Sequence, residues 1–352
     1  MKNQNHEVLR KGKLRFALIG YAFRYLPAPI MQRLAARGAE SSSGVMPPVP
    51  DLVRLLKASG GSLPGMSGGS DAFKYLPELA GVEIHDLDVG IRNKVPARLF
   101  QPPGKAAARA ALVWVHGGAF LFGDLDMAES HWVGAALAAR GIPVLTLDYR
   151  KSFGDNHFPA ASDDVLAGWR WALEHLDRLG GVTAEQLHIG GASAGGNLVA
   201  GAVKRLRDGA GPLPASTFLA YPTVHAELPP WDPAELAAVQ KAAGATFFAP
   251  EWVRDMRLNY IGDPALLDDP YAVPGNGDLG GQPRTFVLTC ENDSLRSSGE
   301  LYARQLTEAG VEVATHMVKG AVHGSLNAPF EAVGAESLEI LASWLADGPD
   351  ES

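Results

Sequence analysis

Three side chains able to support nucleophilic catalysis occur in the order serine, aspartate, histidine. Ser193 lies at the centre of a G-x-S-x-G motif, Gly191 to Gly195, between an apolar run and a segment with helical spacing. Such a motif forms a sharp strand-to-helix turn that exposes the serine hydroxyl. Asp293 and His323 each follow a later apolar run. The predicted chemistry is attack of a serine oxygen on a carbonyl carbon, with histidine as the base and aspartate to orient it.

A second motif precedes the serine and predicts a binding site for the charge that forms on the carbonyl oxygen. The β-rich run 111–115 leads into His116–Phe120, which matches the HGGG-type loop of lipases and esterases. Backbone N–H groups in such a loop stabilise an oxyanion. G-x-S-x-G alone is short enough to arise by chance, so the two motifs together carry the prediction. The predicted oxyanion-hole residues are Gly117, Gly118, Ala119 and Ala194, with Gly117 shaping the turn.

The motifs and the triad order resemble the hormone-sensitive-lipase-like group of carboxylesterases, also called bacterial family IV esterases. The resemblance covers about residues 82–345 and includes the segments Leu147–Arg150, Phe158–Ala161 and Asp293–Arg296. The departures are Ala119 in place of a third glycine, Ala192 in place of aspartate or threonine, Lys151–Asn156 in place of a proline-glutamate stretch, and Ser325 in place of phenylalanine. Since none removes a nucleophile, base or acid, we expect changes in specificity rather than in reaction.

The resemblance implies an α/β-hydrolase fold and a serine esterase. His323 is expected to take the proton of Ser193 and return it to the leaving alcohol, while Asp293 holds the imidazole and stabilises its protonated form. Glu291 is a rival acid, and Asp293 is preferred because it occupies the Asp-x-Leu-Arg position of the family. A catalytic thiol at Cys290 is discounted, because Ser193 already has a complete set of partners.

The elements that must position these residues alternate between strands and helices. Alternating apolar residues from Val82 to Leu99 predict an antiparallel pair at the start of the sheet. This order predicts a mostly parallel central sheet flanked by helices, with the catalytic residues on loops at the carboxyl ends of strands. Six further strands are predicted near 111–115, 143–147, 187–190, 217–221, 284–290 and 312–318, with helices between them and a last helix near 330–346.

The alternation fails between Pro222 and Gly281, which predicts an insertion after the sixth strand. With an N-terminal helix, the insertion is expected to form a helical cap whose apolar side chains line an acyl or alcohol pocket. The alternative, that most of its aromatic residues fill the cap's own core, stays open. The predicted boundaries are 1–81 for the N-terminal cap segment and linker, 82–222 and 282–352 for the catalytic core, and 223–281 for the insertion. The candidate substrate-binding residues are Phe120, His225, Trp231, Phe247, Phe248 and Trp252.

The first 40 residues form a basic segment in an acidic chain. They contain eight Lys and Arg against two Glu, a charge of +6, which leaves −14 for the rest of a chain whose net charge is −8. Apolar residues between Leu14 and Leu26 have near-helical spacing, and the resemblance implies a helix over the active-site mouth. Contact with an anionic membrane surface is not favoured, because basic amphipathic helices are usually just solvated on one side. Phe16–Phe23 is too short to span a bilayer and lacks a convincing cleavage site, so a secretory signal is not favoured either.

Composition narrows the remaining function classes. The chain has 352 residues, 46% hydrophobic and 20% charged, which is typical of a globular protein. Its acidic balance argues against a nucleic-acid partner, and its ten histidines form no metal-binding motif, so neither a metal nor another cofactor is expected. The single cysteine, Cys290, excludes an intrachain disulfide and fits a cytoplasmic location. A homodimer stays open.

The predicted function is hydrolysis of short- to medium-chain or aryl carboxylic esters through an acyl-enzyme on Ser193, with dialkyl phthalates as one xenobiotic class to test. Two alternatives stay open. An amidase or deacetylase could use the same triad. A small-molecule binding protein could keep the fold without the reaction, although retention of all three triad residues argues against it.

Overall fold

The computed structural model describes residues 48–58, 71–90, 94–104 and 107–347. The predicted N-terminal helix between Leu14 and Leu26 and the predicted linker stretches 41–47 and 59–70 lie outside these residues. The expected lid from the first 40 residues therefore stays a prediction. Within the described ranges, no helix combines the length and the apolar character needed to cross a membrane.

An eight-stranded, mostly parallel sheet forms the centre of the fold, as predicted. Its strands are β1 (Glu83–Val89), β2 (Val95–Gln101), β3 (Ala111–Val115), β4 (Val144–Leu147), β5 (Leu187–Ala192), β6 (Thr217–Ala220), β7 (Thr285–Asn292) and β8 (Val313–Val322). They lie in the order β1-β2-β4-β3-β5-β6-β7-β8. β2 pairs antiparallel with both β1 and β4, and the other neighbouring pairs are parallel. The carboxyl ends of the six parallel strands therefore meet at one edge of the sheet.

Helices cover both faces of this sheet, which explains why its central strands are apolar throughout. All residues of β3, β4, β5 and β6 are buried, as is typical of parallel strands. The described helices are α1 (Val49–Ala58), α2 (Ala128–Ala138), α3 (Ala160–Glu174), α4 (Ala194–Arg205), α5 (Pro233–Ala243), α6 (Pro250–Ile261), α7 (Arg296–Glu308) and α8 (Ala332–Ala346). One apolar layer includes residues of α3, α4 and α7, and the other includes residues of α2 and α8.

The segment between β6 and β7 contains α5 and α6, at the place where the alternation of the sequence fails. Asp232 caps α5 by accepting hydrogen bonds from two backbone N–H groups, and Pro233 occupies the first turn. Pro250 begins α6, and Gly262 ends it at a φ of 79°. The described helix α1 packs against α6. The interpretation of α1, α5 and α6 as parts of a cap, with the boundaries given above, stays a prediction.

Several element ends differ by one to four residues from the predicted ones. The sixth strand stops at Ala220 because Tyr221 has a φ of 37°, outside the extended region. The last strand continues to Val322, which pairs with Asn292 beyond an irregularity in β7. The last helix begins at Ala332 rather than near 330. The second difference matters for function, because it places His323 directly after the end of β8.

Candidate active site

Ser193 lies on a strained turn between β5 and α4. Its backbone has φ 53° and ψ −118°, a conformation that a residue with a side chain keeps only where the surroundings impose it. A Cβ at Gly191 would lie 2.5 Å from the carbonyl oxygen of Gly195, and a Cβ at Gly195 would lie 2.2 Å from the carbonyl oxygen of Val115. Glycine is therefore needed at both positions of the motif, because the turn presses against the end of β3.

The structure brings the three predicted triad side chains into one hydrogen-bonded chain. His323 Nε2 lies 2.9 Å from Ser193 Oγ, and His323 Nδ1 lies 2.7 Å from Asp293 Oδ2. Asp293 is fully buried, and its Oδ1 accepts a hydrogen bond from the N–H of Leu295. Because a carboxylate only accepts hydrogen bonds, Nδ1 of the neutral imidazole carries the proton and Nε2 can accept one from the serine.

Glu291, the rival acid, faces the neighbouring strand instead. Its carboxylate accepts hydrogen bonds from the N–H of Gly320 at 2.7 Å and from Lys319 Nζ at 3.1 Å. These contacts lower the pKa of Glu291, the backbone hydrogen bond most of all. The geometry therefore joins Asp293, and not Glu291, to the imidazole.

The surroundings of His323 favour its protonated form. Burial by itself disfavours a charged imidazole, but the charge of Asp293, the hydrogen bond to Asp293 and the charge of Glu129 outweigh it and raise the pKa of His323 above its usual value. Two aromatic rings stand edge-on to the imidazole, with centroids 5.0 Å away for Phe248 and 5.1 Å away for Tyr221. The imidazole is thus influenced by two carboxylates and is also covered by two aromatic rings.

The oxyanion loop turns sharply beside the nucleophile. Gly118, Ala119 and Phe120 have φ values of 115°, 54° and 61°, so the chain is left-handed at three successive positions. Ala119 adopts this conformation where the family usually has a glycine, which would adopt it more readily. A Cβ at Gly117 would lie 3.0 Å from the Cβ of Ser193. The loop therefore lies directly against the serine.

The predicted oxyanion donors differ in what they contact. The N–H of Gly117 donates to Glu129 Oε2 at 2.5 Å, so it is used within the protein and supports the turn. Among the described residues, none accepts a hydrogen bond from the N–H of Gly118, Ala119 or Ala194. These three groups are therefore available to a negatively charged oxygen at the amino end of α4, where the helix dipole also favours negative charge.

A buried polar cluster supports the loop through His116. Its Nδ1 lies 2.6 Å from the carbonyl oxygen of Gly117, which can only accept, so Nδ1 carries the proton and Nε2 is an acceptor. Lys151 Nζ lies 3.4 Å from this Nε2 and also donates to Asp148 Oδ1 at 2.5 Å and to the carbonyl oxygen of Tyr149 at 2.6 Å. Burial raises the pKa of Asp148, but His116 and Lys151 beside it bring that pKa down to about 2. The sequence indicated Lys151 only as a departure from the family pattern.

Sequence reasoning missed Glu129, which contacts the oxyanion loop directly. It lies in the first turn of α2 and is only 1% exposed. The signal available in the sequence was weak, because Glu129 is only a lone carboxylate in the segment that forms α2. The structure shows that all eleven residues of this helix are buried. A buried carboxylate requires donors, so knowledge of that burial would have singled it out. The sequence alone does not show that this helix is covered on every side.

Three of the predicted pocket residues lie around His323 and the loop that carries Asp293. The ring of Phe248 stands edge-on to the imidazole, and its centroid lies 5.3 Å from that of Trp252. The backbone N–H of Phe248 donates to the Ser294 hydroxyl oxygen at 3.1 Å. Trp231 Nε1 donates to the carbonyl oxygen of Ser294 at 3.2 Å. The segment between β6 and β7 therefore brings an aromatic ring beside His323, and Ser294 of the core bonds to both Phe248 and Trp231.

The other three predicted pocket residues have different surroundings. Phe120 is fully buried and stacks on Tyr260 at 4.1 Å between centroids. Both ring nitrogens of His225 are engaged within the protein, Nδ1 with Ser298 at 2.9 Å and Nε2 with Gln305 at 3.1 Å. Phe247 is half-buried between α5 and α6. Substrate contact by Phe120, His225 and Phe247 stays a prediction.

The chemical groups gathered here are a hydroxyl, an imidazole, a carboxylate and unpaired backbone N–H groups. They are the groups needed to transfer an acyl group to a serine and then to water. In the part of the chain that the structure describes, no three His, Cys, Asp or Glu side chains are grouped so that they could hold a metal ion.

Known proteins with the same features are carboxylic ester hydrolases. Residues 112–327, more than half of the chain, match a family described as alpha/beta hydrolase fold. Carboxylesterase NlhH of Mycobacterium tuberculosis is 34% identical over 72% of this chain and 78% of its own, and the ethyl acetate hydrolase of Pseudomonas putida is 32% identical over 68% and 74%. The crystal structure of a thermostable carboxylesterase cloned from a metagenomic library superposes with a TM-score of 0.65 at 30% identity, covering 75% of this chain and 88% of that one. The chain therefore belongs to the α/β-hydrolase family and is a carboxylic ester hydrolase.

Proposed function

We propose that this enzyme cleaves carboxylic esters through a covalent acyl-enzyme on Ser193, with His323 as the general base and acid and Asp293 as its partner. The observation that carries the proposal is the hydrogen-bonded chain from Ser193 Oγ through both nitrogens of His323 to Asp293, with steps of 2.9 and 2.7 Å. These distances allow a proton to pass between serine and imidazole without a side-chain rearrangement.

The reaction proceeds in two halves. In the first, Ser193 Oγ attacks the ester carbonyl while its proton moves to His323 Nε2, and the collapse of the tetrahedral intermediate returns that proton to the leaving alcohol. In the second, water attacks the acyl carbon and gives a proton to the same nitrogen, and collapse of this tetrahedral intermediate breaks the bond to Ser193 Oγ, which takes that proton back as the acid leaves. Asp293 stays ionised and stabilises the imidazolium that forms in each half.

Both halves of the reaction also require stabilisation of the negative charge that forms on the carbonyl oxygen. The N–H groups of Gly118, Ala119 and Ala194 are the proposed donors, and Gly117 holds the loop in place through Glu129. Loss of one such donor typically costs about 3 kcal/mol of transition-state stabilisation. The left-handed backbone at 118–120 keeps the two loop donors, Gly118 and Ala119, out of a regular strand or helix.

The proposed substrates are small esters with short- to medium-chain acyl groups or with aryl groups, including dialkyl phthalates. The relative that hydrolyses ethyl acetate supports the short end of this range. Phe248, Trp252 and Trp231 supply apolar surface beside His323, the residue that protonates the leaving alcohol. Because that surface lies on the side of the leaving group, we expect it to contact the alcohol part of the ester.

The test is covalent labelling of Ser193 combined with a hydrolysis panel. A fluorophosphonate should label the parent enzyme at one site, mapped to Ser193, and Ser193→Ala should lose both labelling and turnover while keeping the melting temperature of the parent. The panel should pair each ester with the amide of the same acid, across acyl chain lengths. Labelling at another residue, or turnover retained in Ser193→Ala, would overturn the assignment, and faster hydrolysis of amides than esters would transfer the preference to an amidase.

Location in the cytoplasm and assembly are further parts of the proposal. The chain's one cysteine, Cys290, is buried and cannot form an intrachain disulfide, which fits a reducing compartment. A homodimer is the alternative to a monomer, and light scattering at working concentrations would distinguish the two by mass. Fractionation of cells that produce the protein would test the compartment.

A further inference from the structure

Glu129 is a buried carboxylate with three hydrogen-bond donors around it. The N–H of Gly117 donates to Oε2 at 2.5 Å, while the hydroxyl of Tyr221 and the amide Nδ2 of Asn327 donate to Oε1 at 2.7 and 3.0 Å. An ionised carboxylate accepts at both oxygens and donates at neither, which matches this set of partners. Charge-assisted hydrogen bonds of this kind are stronger than neutral ones.

The three donors come from three different loops of the active site. Gly117 belongs to the oxyanion loop, Tyr221 directly follows the residue whose carbonyl accepts the N–H of Ser193, and Asn327 lies shortly after His323. The contact with Asn327 is reciprocal, since its Oδ1 accepts the N–H of Glu129 at 3.2 Å. One carboxylate therefore connects the oxyanion loop, the segment after β6 that bonds to the nucleophile turn, and the segment after the base.

We infer that Glu129 is a positioning residue of the esterase reaction, whose carboxylate holds the oxyanion loop against the serine and whose negative charge stabilises the protonated imidazole of His323. The inference rests on the proposed triad. It adds a second carboxylate, outside the triad, that acts on the base through space and on the oxyanion loop through Gly117.

The negative charge of Glu129 acts on the imidazole of His323 together with that of Asp293. Asp293 bonds to Nδ1, and Tyr221 presents its ring edge to the imidazole while its hydroxyl bonds to Glu129. Burial, followed by the charge of Asp293, raises the pKa of Cys290 to about 12, so this thiol is neutral. Burial keeps the pKa of Tyr221 well above its usual value, so its hydroxyl is neutral too. The negative charges acting on the imidazole are thus those of Asp293 and Glu129, and both raise the pKa of His323.

The decisive variant is Glu129→Gln, which keeps the size of the side chain and removes its charge. Whichever way the amide is oriented, its NH2 group faces at least one of the three donors. We expect kcat to fall about tenfold, with KM nearly unchanged, because the loop that binds the transition state is displaced. We also expect the acid limb of kcat/KM to move to lower pH by about half a unit, because a negative charge near the imidazole is lost.

Three further variants separate charge from support. Tyr221→Phe removes a hydrogen bond to Glu129 and leaves the carboxylate ionised, so kcat should fall while the midpoint of the acid limb stays with the parent. Glu129→Asp keeps the charge and should keep the midpoint as well. Glu336→Gln makes the same chemical change at a carboxylate that is 44% exposed and bonded to His316, and it should change neither quantity.

The outcomes distinguish this inference from the proposed triad. One-to-one fluorophosphonate labelling of Glu129→Gln shows that the Ser193 assignment stands whatever happens to its rate. Parent kcat and parent midpoint in Glu129→Gln overturn the inference, and a lower kcat with an unshifted midpoint overturns its electrostatic half. If Glu129→Gln does not fold, Tyr221→Phe and Asn327→Ala decide, and parent kcat in both overturns the positioning role.

Discussion

The two sides of the active site are built in different ways. On the core side, Ser193, Asp293 and His323 follow the ends of parallel strands, and buried hydrogen bonds fix each of them. On the side of the insertion, Phe248 and Trp231 both bond to one core residue, Ser294, through the backbone N–H of Phe248 and through Nε1 of Trp231. The core holds its reacting groups by backbone geometry, whereas the segment between β6 and β7 contributes aromatic rings beside them.

Because of this difference, we expect the core side to set the rate of the reaction and the insertion side to set the selectivity among esters. The positive φ values at Ser193 and along the oxyanion loop leave little freedom to the reacting groups, which suits chemistry that depends on fixed donors. Phe248 and Trp231 lie outside the strands of the sheet, so we expect their exchange to leave the sheet intact. Changes on the core side should therefore lower kcat for every ester, and changes on the insertion side should change the ranking of esters.

The largest expected effect on the core side comes from Asp293→Asn. The amide stabilises the wrong imidazole tautomer, and the same change in a serine protease lowers kcat about 10⁴-fold, so we expect a loss of that order for every ester. Glu291→Gln is the matched control, since that carboxylate is bonded to Lys319 and Gly320 instead of the triad. We expect its kcat to stay within about twofold of the parent. The opposite ranking, measured by steady-state kinetics, would give the acid role to Glu291.

A smaller loss of kcat is expected from Lys151→Met, a change on the core side in the polar cluster that supports the oxyanion loop. The ammonium donates to Asp148, to the carbonyl of Tyr149 and to His116, and its removal leaves these acceptors without that partner. We expect kcat to fall about tenfold and the free energy of unfolding to fall by about 1–3 kcal/mol. Lys319→Met is the control, because Lys319 is 71% exposed and its ion pair with Glu291 is worth little. Denaturant melts that rank Lys319→Met as the more damaging change would contradict this account.

The sequence predicted the parts of the site that depend on local geometry. G-x-S-x-G and the loop at 116–120 require glycine or left-handed backbone at named positions, so short motifs are sufficient to recognise them. The contact of Glu129 with Asn327 joins residues 198 positions apart, and no local pattern records it. His225 is the reverse case: its two ring nitrogens are bonded within the protein, to Ser298 and Gln305, and its predicted contact with substrate stays a prediction.

On the side of the insertion, Phe248→Ala should change selectivity more than rate. Its ring is half-buried over His323, and loss of that apolar surface should weaken binding of aryl and longer alcohol groups by about 1 kcal/mol, roughly fivefold in kcat/KM. Methyl and ethyl esters, which do not reach the ring, should be hydrolysed at nearly the parent rate. Phe330→Ala removes the same side chain at a position that is 61% exposed and should leave the ranking unchanged. Equal losses for all esters in Phe248→Ala would show that this residue supports the core instead.

The smallest expected effect is a shift in the pH dependence of kcat/KM. It tests both sides of the site, because residues of each side change the pKa of His323. His323 must be neutral to act as a base, so kcat/KM should rise with pH around the pKa of His323, which Asp293 and Glu129 raise above the usual value of about 6.5. Burial acts in the opposite direction, because it disfavours the charged imidazole, and Phe248 contributes to that burial. Phe248→Ala should therefore admit water to the ring, raise the pKa further and move the acid limb to higher pH by less than about half a unit. Glu129→Gln should move it the other way, so the two variants bracket the parent, with Phe330→Ala superimposed on it. A downward shift in Phe248→Ala would mean that its ring acts on His323 by fixing the hydrogen bond to Asp293 rather than by excluding water.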